Sequence, residues 1–263
     1  MEHFPHIWCA GCGHGIIMGA FLRAVEALEL DQDKVTAVSG IGCSSRLPGY
    51  LDFNTLHTTH GRGIAFGTGV KLARPEMTVV IMTGDGDLAA IGGNHFIHAA
   101  RRNIDITCIC FNNHIYGMTS GQVSPTTPFK ANATTSPHGN VEHPFDLCEL
   151  AGAAGATYVA RSTSYHAAQL PRMIRKAIEN PGFSFVDIIS GCPTYYGRRN
   201  DLRTAVDLLQ WQKDNSVPVR EAAKMTREQR EGKYVIGELV DRRAPEFCSE
   251  YQKLIDRAQG RAA

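Results

Sequence analysis

The stretch "MTVVIMTGDGD", residues 77–87, narrows the choice of fold more than any other part of the chain. Its apolar run is continuous, not alternating, and rich in β-branched residues, as in a strand buried on both faces of a helix-covered parallel sheet. "GGNHFIHAARRN" then reads as a helix and "IDITCICFNN" as the next strand. Upstream, Ile17, Phe21, Ala24 and Leu28 recur at helical spacing, so a helix is expected over about 14–29. "KVTAVSGIGCSS" gives a short strand ending in a glycine loop, and "GRGIAFGTGVKLAR" a helix stopped by Pro75. Downstream, "GATYVA", a helix near 165–180 and "FSFVDIIS" continue the alternation. Strand, crossover helix and strand in series predict an α/β fold with a parallel sheet. Such sheets bind ligands where the carboxyl ends of the strands meet their loops. Three of those ends are chemically loaded: "GIGCSS", "GDGD" and "NNHIYGMT".

With 263 residues, 43% of them hydrophobic, the chain has material for one large core plus appendages. Residues 1–197 are expected to form that domain. Residues 198–263 are charged, with helical patterning around Leu202 to Trp211, and are expected to be a peripheral helical arm contacting a partner. Residues 120–144 form a long polar Pro- and Thr-rich stretch, of a length that usually marks a functional cover or disorder. A net charge of +1 with scattered Lys and Arg argues against a nucleic-acid partner. No leader pattern and no run of about 18 apolar residues is seen, so a soluble cytoplasmic protein is expected, with no membrane partner. Eight cysteines in such a chain suggest thiols or metal ligands, not a disulfide framework.

Gly84, Gly86 and Ala89 match the loose dinucleotide-binding pattern, a weak signal alone. Asp85 inside the loop would repel a pyrophosphate unless a cation lay between them. The next strand also ends in Asn112-Asn113, where a nicotinamide site would place its ribose-binding acid. A divalent metal bridging the loop to a diphosphate removes both objections. Mg²⁺ takes oxygen ligands from a carboxylate or two, substrate phosphates and water. Asp85 supplies the carboxylate, and the following strand end an amide oxygen and a carbonyl.

The pair Cys9 and Cys12 is ambiguous by itself. With His57 and His60 it could make a two-Cys, two-His zinc site. A thioredoxin-like pair would follow a strand, and none precedes Cys9. Cys108 and Cys110 lie inside an apolar strand and read as core; Cys148 and Cys248 carry no signal. His95, His98 and His114 read as structural.

"GDGD…NN" resembles the diphosphate-binding motif of thiamine diphosphate enzymes. "WCAGCGHG", "SGIGCSSRLPGY", "HTTHGRG", "GDGDLAAIGGNHFIHAARRN", "NNHIYGMTSGQ", "SPTTP" and "CPTYY", in that order over about residues 6–197, resemble the β subunit of 2-oxoacid:ferredoxin oxidoreductases, with the 2-oxoglutarate type the nearest subclass. The resemblance implies thiamine diphosphate with Mg²⁺ held by Asp85, the Asn113 side chain and the Ile115 carbonyl. It implies cofactor contacts from Ile41, Gly42, Cys43, Ser44, His60, Gly86, Asp87, Gly117 and Met118. One [4Fe-4S] cluster would sit on Cys9, Cys12, Cys43 and Cys192. His60 would touch the thiamine, and Arg46 would bind the carboxylate of the 2-oxo acid. Coenzyme A would take the acyl group and ferredoxin the electrons. No glutamate here matches the one that activates thiamine. In the resembled family it sits on an α subunit, implying an αβ or (αβ)₂ assembly with the arm and residues 120–144 as contact surfaces.

Overall fold

The computed structural model describes residues 4–261. Among the described residues ten strands form: β1 Val35–Ser39, β2 Asn54–His57, β3 Thr78–Gly84, β4 Thr107–Asn112, β5 Ile115–Tyr116, β6 Gln122–Val123, β7 Tyr158–Thr163, β8 Ser184–Ile189, β9 Ser216–Pro218 and β10 Tyr234–Asp241. Eight of them make one sheet in the order β2-β1-β3-β4-β8-β7-β10-β9, and β5 and β6 form a separate hairpin. From β2 to β7 every pairing is parallel, whereas β10 runs antiparallel to β7. The expected α/β fold is therefore present.

The continuous apolar runs are explained by a core on each face of the sheet. Along β3, Val80 and Met82 face helices His14–Ala27 and Leu170–Glu179 through Ile17, Phe21 and Ile174. Val79 and Ile81 face the other way, toward Ile64, Phe96 and Leu147. Cys108 and Cys110 of β4 belong to this second core, as expected of apolar filler. Each fully buried aliphatic side chain stabilises the fold by about 1.5–3 kcal/mol, so a strand covered on both faces tolerates no alternation with polar residues.

The chain leaves β1 toward β2 on one side and returns to β3 on the other. Loops after β1 and β3 thus diverge and leave a crevice between them, the place where such sheets bind ligands. Strands β1, β3, β4 and β8 lie side by side, so their four C-terminal loops open on the same edge. Those loops carry Cys43, Asp85, Asn113 and Cys192.

Residues 198–263 correct the expectation of a helical arm. They contain helices Ala205–Asp214 and Phe247–Ala258, but also β9 and β10, which widen the sheet. Only Ile236 is fully buried in β10, and Glu238 and Asp241 pair with Lys176 at 2.6 and 2.8 Å. A half-exposed strand bearing charges shows no hydrophobic period, which is why it reads as arm. Helix Ala205–Asp214 packs directly on the Cys9–Cys12 turn: Gly11, at φ +83°, leaves no room for a Cβ against Ala205. No helix among the described residues is long and apolar enough to cross a membrane.

Candidate functional site

Two cavities open at this edge. The larger, of about 410 Å³, is lined by Ile41, Gly42, Cys43, Ser44, His60, Asp85, Gly86, Asp87, Asn113, Ile115, Gly117 and Met118 among others. All the residues expected to touch a thiamine cofactor or its metal are therefore on one wall system. Phe111 and Tyr116 add ring surface, and Gly42, at φ +124°, leaves open space where a side chain would stand. The smaller cavity, about 80 Å³, is lined by Cys9, Cys12, Cys43 and Cys192 together with Trp8, Thr194 and Tyr195. His14, Cys43, Asn113, Gly117 and Met118 line both. A Cβ on Gly117 would lie 3.4 Å from Cys192 Sγ, 3.9 Å from Cys43 Sγ and 3.7 Å from Asn113 Nδ2. Bare backbone is all that separates the thiols from the amide.

Burial dictates the electrostatics of the first cavity. Asp85 is 2% exposed, and desolvation pushes its carboxyl up to about 6, against hydrogen bonds that favour the anion. Ser124 and Thr126 donate their hydroxyls to Oδ2 at 2.5 and 2.7 Å, and the Asn113 amide lies 3.4 Å from Oδ1. A buried carboxylate on a cavity wall, with an amide and a carbonyl beside it, suits a hard divalent cation. Asp87 is engaged differently. Its Oδ1 accepts the amides of Ile41 at 3.1 Å and Gly61 at 2.7 Å, and its Oδ2 the Thr83 hydroxyl at 2.9 Å. His60 Nδ1 stands 2.8 Å from the same Oδ1, but off the hydrogen-bonding direction. Asp87 therefore ties together the loops after β1, before helix Gly63–Ala73 and after β3, and sets the shape of the cavity.

Burial also raises the thiols. Cys12 and Cys43 are pushed up to about 11, and Cys192 moves in the same direction, chiefly by desolvation. A thioredoxin-like pair would follow a strand, and among the described residues the first strand, β1, begins only at Val35, well after Cys9 and Cys12. The zinc arrangement fails as well. His57 bonds Ser39 at 2.9 Å and His60 stands against Asp87, so neither reaches the cysteine cavity. Among the described residues no three His, Cys, Asp or Glu side chains converge on a single ion. A four-iron cluster takes each thiolate on a separate iron and needs a wider ring of sulfurs than zinc does.

Arg46 is the exception among the expected residues: it lines neither cavity, and its Nε is buried without a partner. Its charge stands near Cys43, where it partly offsets the desolvation of that thiol.

Residues 40–188 match the family model "Thiamine pyrophosphate enzyme, C-terminal TPP binding domain". The 2-oxoglutarate synthase subunit KorB of Methanocaldococcus jannaschii is 57% identical over 97% of this chain and 95% of its own length. The KorB subunit of Methanothermobacter thermautotrophicus is 53% identical over 99% and 91%. The chain belongs to the KorB family of thiamine pyrophosphate enzymes. A solved 2-oxoglutarate:ferredoxin oxidoreductase from Magnetococcus marinus, with 2-oxoglutarate, coenzyme A and succinyl-CoA bound, superposes with a TM-score of 0.88 at 36% identity, covering 99% of this chain and 89% of that one.

Three features of this KorB-family site escaped the sequence reading. His14, only 2% exposed and lowered to about 4 by burial, sits between the rings of Trp8 and Phe111 in the wall shared by the cavities. Ser124 and Thr126 come from the long polar stretch, which folds onto Asp85 instead of hanging free. Behind it, Thr126 Oγ1 lies 3.0 Å from Asn112 Oδ1, Asn112 Nδ2 bonds Asp187, and Asp187 pairs with buried Arg161 at 2.9 Å. Isolated hydroxyls and a strand-borne Arg and Asp carry no spacing that would have announced them. His114, by contrast, is structural as expected, bonded to the Thr126 carbonyl and to the Tyr234 hydroxyl, each at 3.0 Å.

Gly86 tests the shape of the larger cavity. Its Cβ would collide with the Tyr116 ring, whose hydroxyl donates to the Gly86 carbonyl at 3.2 Å. Gly86→Ala is expected to displace that ring toward the cofactor space and weaken thiamine diphosphate binding about tenfold, a cost of overpacking of the usual size. Calorimetric titration measures it; unchanged affinity would show that Tyr116 has free room to retreat.

Proposed function

We infer that this chain is the thiamine-diphosphate-binding subunit of a CoA-acylating 2-oxoglutarate:ferredoxin oxidoreductase. It converts 2-oxoglutarate, coenzyme A and two oxidised ferredoxins to succinyl-CoA, CO₂, two reduced ferredoxins and a proton. The observation that carries the reading is the pair of cavities sharing one wall at the ends of four adjacent strands, one lined by a buried Asp85 and the other by four cysteines. The substrates bound in the Magnetococcus marinus enzyme agree with it.

Asp85, the Asn113 side chain and the Ile115 carbonyl would hold Mg²⁺ against the diphosphate. Gly86, Asp87, Ile41, Gly42, Ser44, His60, Gly117 and Met118 would line the coenzyme, and Cys9, Cys12, Cys43 and Cys192 a [4Fe-4S] cluster. The bound coenzyme supplies the carbanion for loss of CO₂ from the 2-oxo acid, and the cluster accepts electrons one at a time. Cys43 and Gly117 line both spaces, so groups held in the two would be neighbours across that shared wall. The fit is supported by the buried carboxylate, the four cysteines that line one cavity and the glycines on the walls of both spaces. No glutamate lines the larger cavity among the described residues, so the group that activates the aminopyrimidine comes from an α subunit in an αβ or (αβ)₂ assembly.

The deciding experiment is anaerobic co-purification with the α subunit, then ferredoxin reduction with CoA across 2-oxoglutarate, pyruvate and branched or aryl 2-oxo acids. A preference for 2-oxoglutarate of about a hundredfold or more in kcat/KM is expected, the size that a carboxylate-specific pocket can supply. Preference for pyruvate would overturn the substrate assignment; absence of CoA dependence would overturn the reaction.

A further inference from the structure

The polar stretch 120–144 is the largest feature that the proposed function leaves without a role. Its residues 124, 126 and 127 are tucked beneath the surface. Ser124, Thr126 and Thr127 are each 3% exposed or less, and residues 125 and 145 close the stretch on itself through the Phe145 amide and the Pro125 carbonyl at 2.9 Å. Asn140 fastens the far limb, with its Nδ2 donating to the Thr127 carbonyl at 2.9 Å and its Oδ1 accepting from the Glu142 amide at 3.1 Å. Only two side-chain groups of this assembly reach the larger cavity's acid: the Ser124 and Thr126 hydroxyls, both on Asp85 Oδ2.

The two oxygens of Asp85 are thus unequal. Oδ2 has two hydroxyls within hydrogen-bond reach, those of Ser124 and Thr126, and the single proton of Thr126 Oγ1 is shared between it and Asn112 Oδ1 at 3.0 Å. Oδ1 keeps only a long contact of 3.4 Å with the Asn113 amide. Donors outside a metal's own ligand set fix the orientation of the ligating carboxylate, and they matter nearly as much as the ligand. The hydroxyls also belong to a segment that Asp85 holds in turn. Thr127 Oγ1 donates to the His114 carbonyl at 2.6 Å, next to the ligand pair at 113 and 115.

We propose that Ser124 and Thr126 are positioning residues that aim Asp85 Oδ1 at the diphosphate-bound cation, so that closure of the 120–144 segment and cation binding are a single coupled event. The proposal rests on the reading of Asp85 as a cation ligand. Closure without the cation leaves a buried carboxylate facing an open cavity, and the cation without closure meets a carboxylate free to rotate. Each event therefore favours the other, and by linkage the coupling is the same in both directions.

The test uses the αβ enzyme with Ser124→Ala, Thr126→Val and Thr126→Ser. Mg²⁺ is titrated at saturating thiamine diphosphate by coenzyme fluorescence quenching, and limited proteolysis reports cleavage within 120–144 with and without Mg²⁺. Thr126→Val and Ser124→Ala are expected to weaken Mg²⁺ binding by about tenfold to a hundredfold, and Thr126→Ser to restore it. Protection of the segment by Mg²⁺ is expected in the wild type and the serine variant and not in Thr126→Val. Folded Ser124→Ala and Thr126→Val proteins that bind Mg²⁺ like the wild type would overturn the proposal, as would an equally protected segment in every variant regardless of Mg²⁺. Asp85→Asn separates the two levels. If it too binds Mg²⁺ normally, the ligand reading has failed; if it does not while the hydroxyl variants do, only the positioning role has.

Discussion

Asp85→Asn is expected to weaken Mg²⁺-dependent thiamine diphosphate binding by more than about a hundredfold and to abolish turnover with 2-oxoglutarate, because the substitution removes the carboxylate of the proposed cation site while keeping its shape. The same substitution carries a stability signature of opposite sign. Burial holds the Asp85 carboxyl at about 6 in the folded, cation-free protein, above its ordinary 3.8. A raised acid pKa means that ionisation opposes folding. The penalty is absent below about pH 4, grows between 4 and 6, and is complete above 6, where the shift corresponds to about 3 kcal/mol. Cation-free Asp85→Asn should therefore melt at or above the wild type at pH 7 and show no advantage at pH 4. Adding Mg²⁺ and thiamine diphosphate should stabilise the wild type and leave the variant unmoved. Thermal melts at the two pH values, with and without the cofactor, check all three expectations. A variant that still gains stability from Mg²⁺ would remove Asp85 from the cation site.

The parts of this molecule that were legible in its sequence are those whose residues must repeat or cluster. Strands β1, β3, β4, β7 and β8 announce themselves because burial on both faces demands an unbroken apolar run. The loops at their carboxyl ends stand out because Gly, Asp, Asn and Cys are out of place beside such runs. β10 was hidden because a half-exposed strand next to the sheet edge carries Glu238 and Asp241 outward. Ser124 and Thr126 were hidden for another reason. Their partner, Asp85, lies about forty positions away, and a hydroxyl is as common on a surface as in a site. Arg46 is placed differently from the other expected residues. A basic residue three positions past an expected cluster ligand looks functional by its place in the chain, yet the 3₁₀ turn Ser44–Tyr50 carries it off the lining of both cavities. Neighbourhood in sequence places a residue in a loop, and only the direction of the turn decides what it faces.

The four cysteines make the second large prediction. Cys43→Ser is expected to cost the αβ enzyme its cluster: iron and acid-labile sulfide attributable to this chain should fall to background, and ferredoxin reduction should drop by more than about a hundredfold, since a hydroxyl is a poor replacement for a terminal thiolate ligand. Desolvation holds Cys43 and Cys12 up to about 11, so both are protonated thiols near neutral pH unless a cation of high charge displaces their protons. Iron does so, and a single buried serine in the ring leaves one iron without a ligand. Thiamine diphosphate affinity should change only a few-fold, because the loop from Gly40 to Ser44 keeps its other anchors: Asp87 still accepts the Ile41 amide, and Trp8 Nε1 still donates to the carbonyl of residue 43 at 2.7 Å. Cys110→Ser supplies the control. That thiol lies fully inside the second core, and burying a hydroxyl there should lower stability by about 1–3 kcal/mol without touching the iron count. Full iron retention in Cys43→Ser, measured anaerobically beside that control, would take the cluster away from this cavity and leave the four thiols as packing around the N-terminal turn.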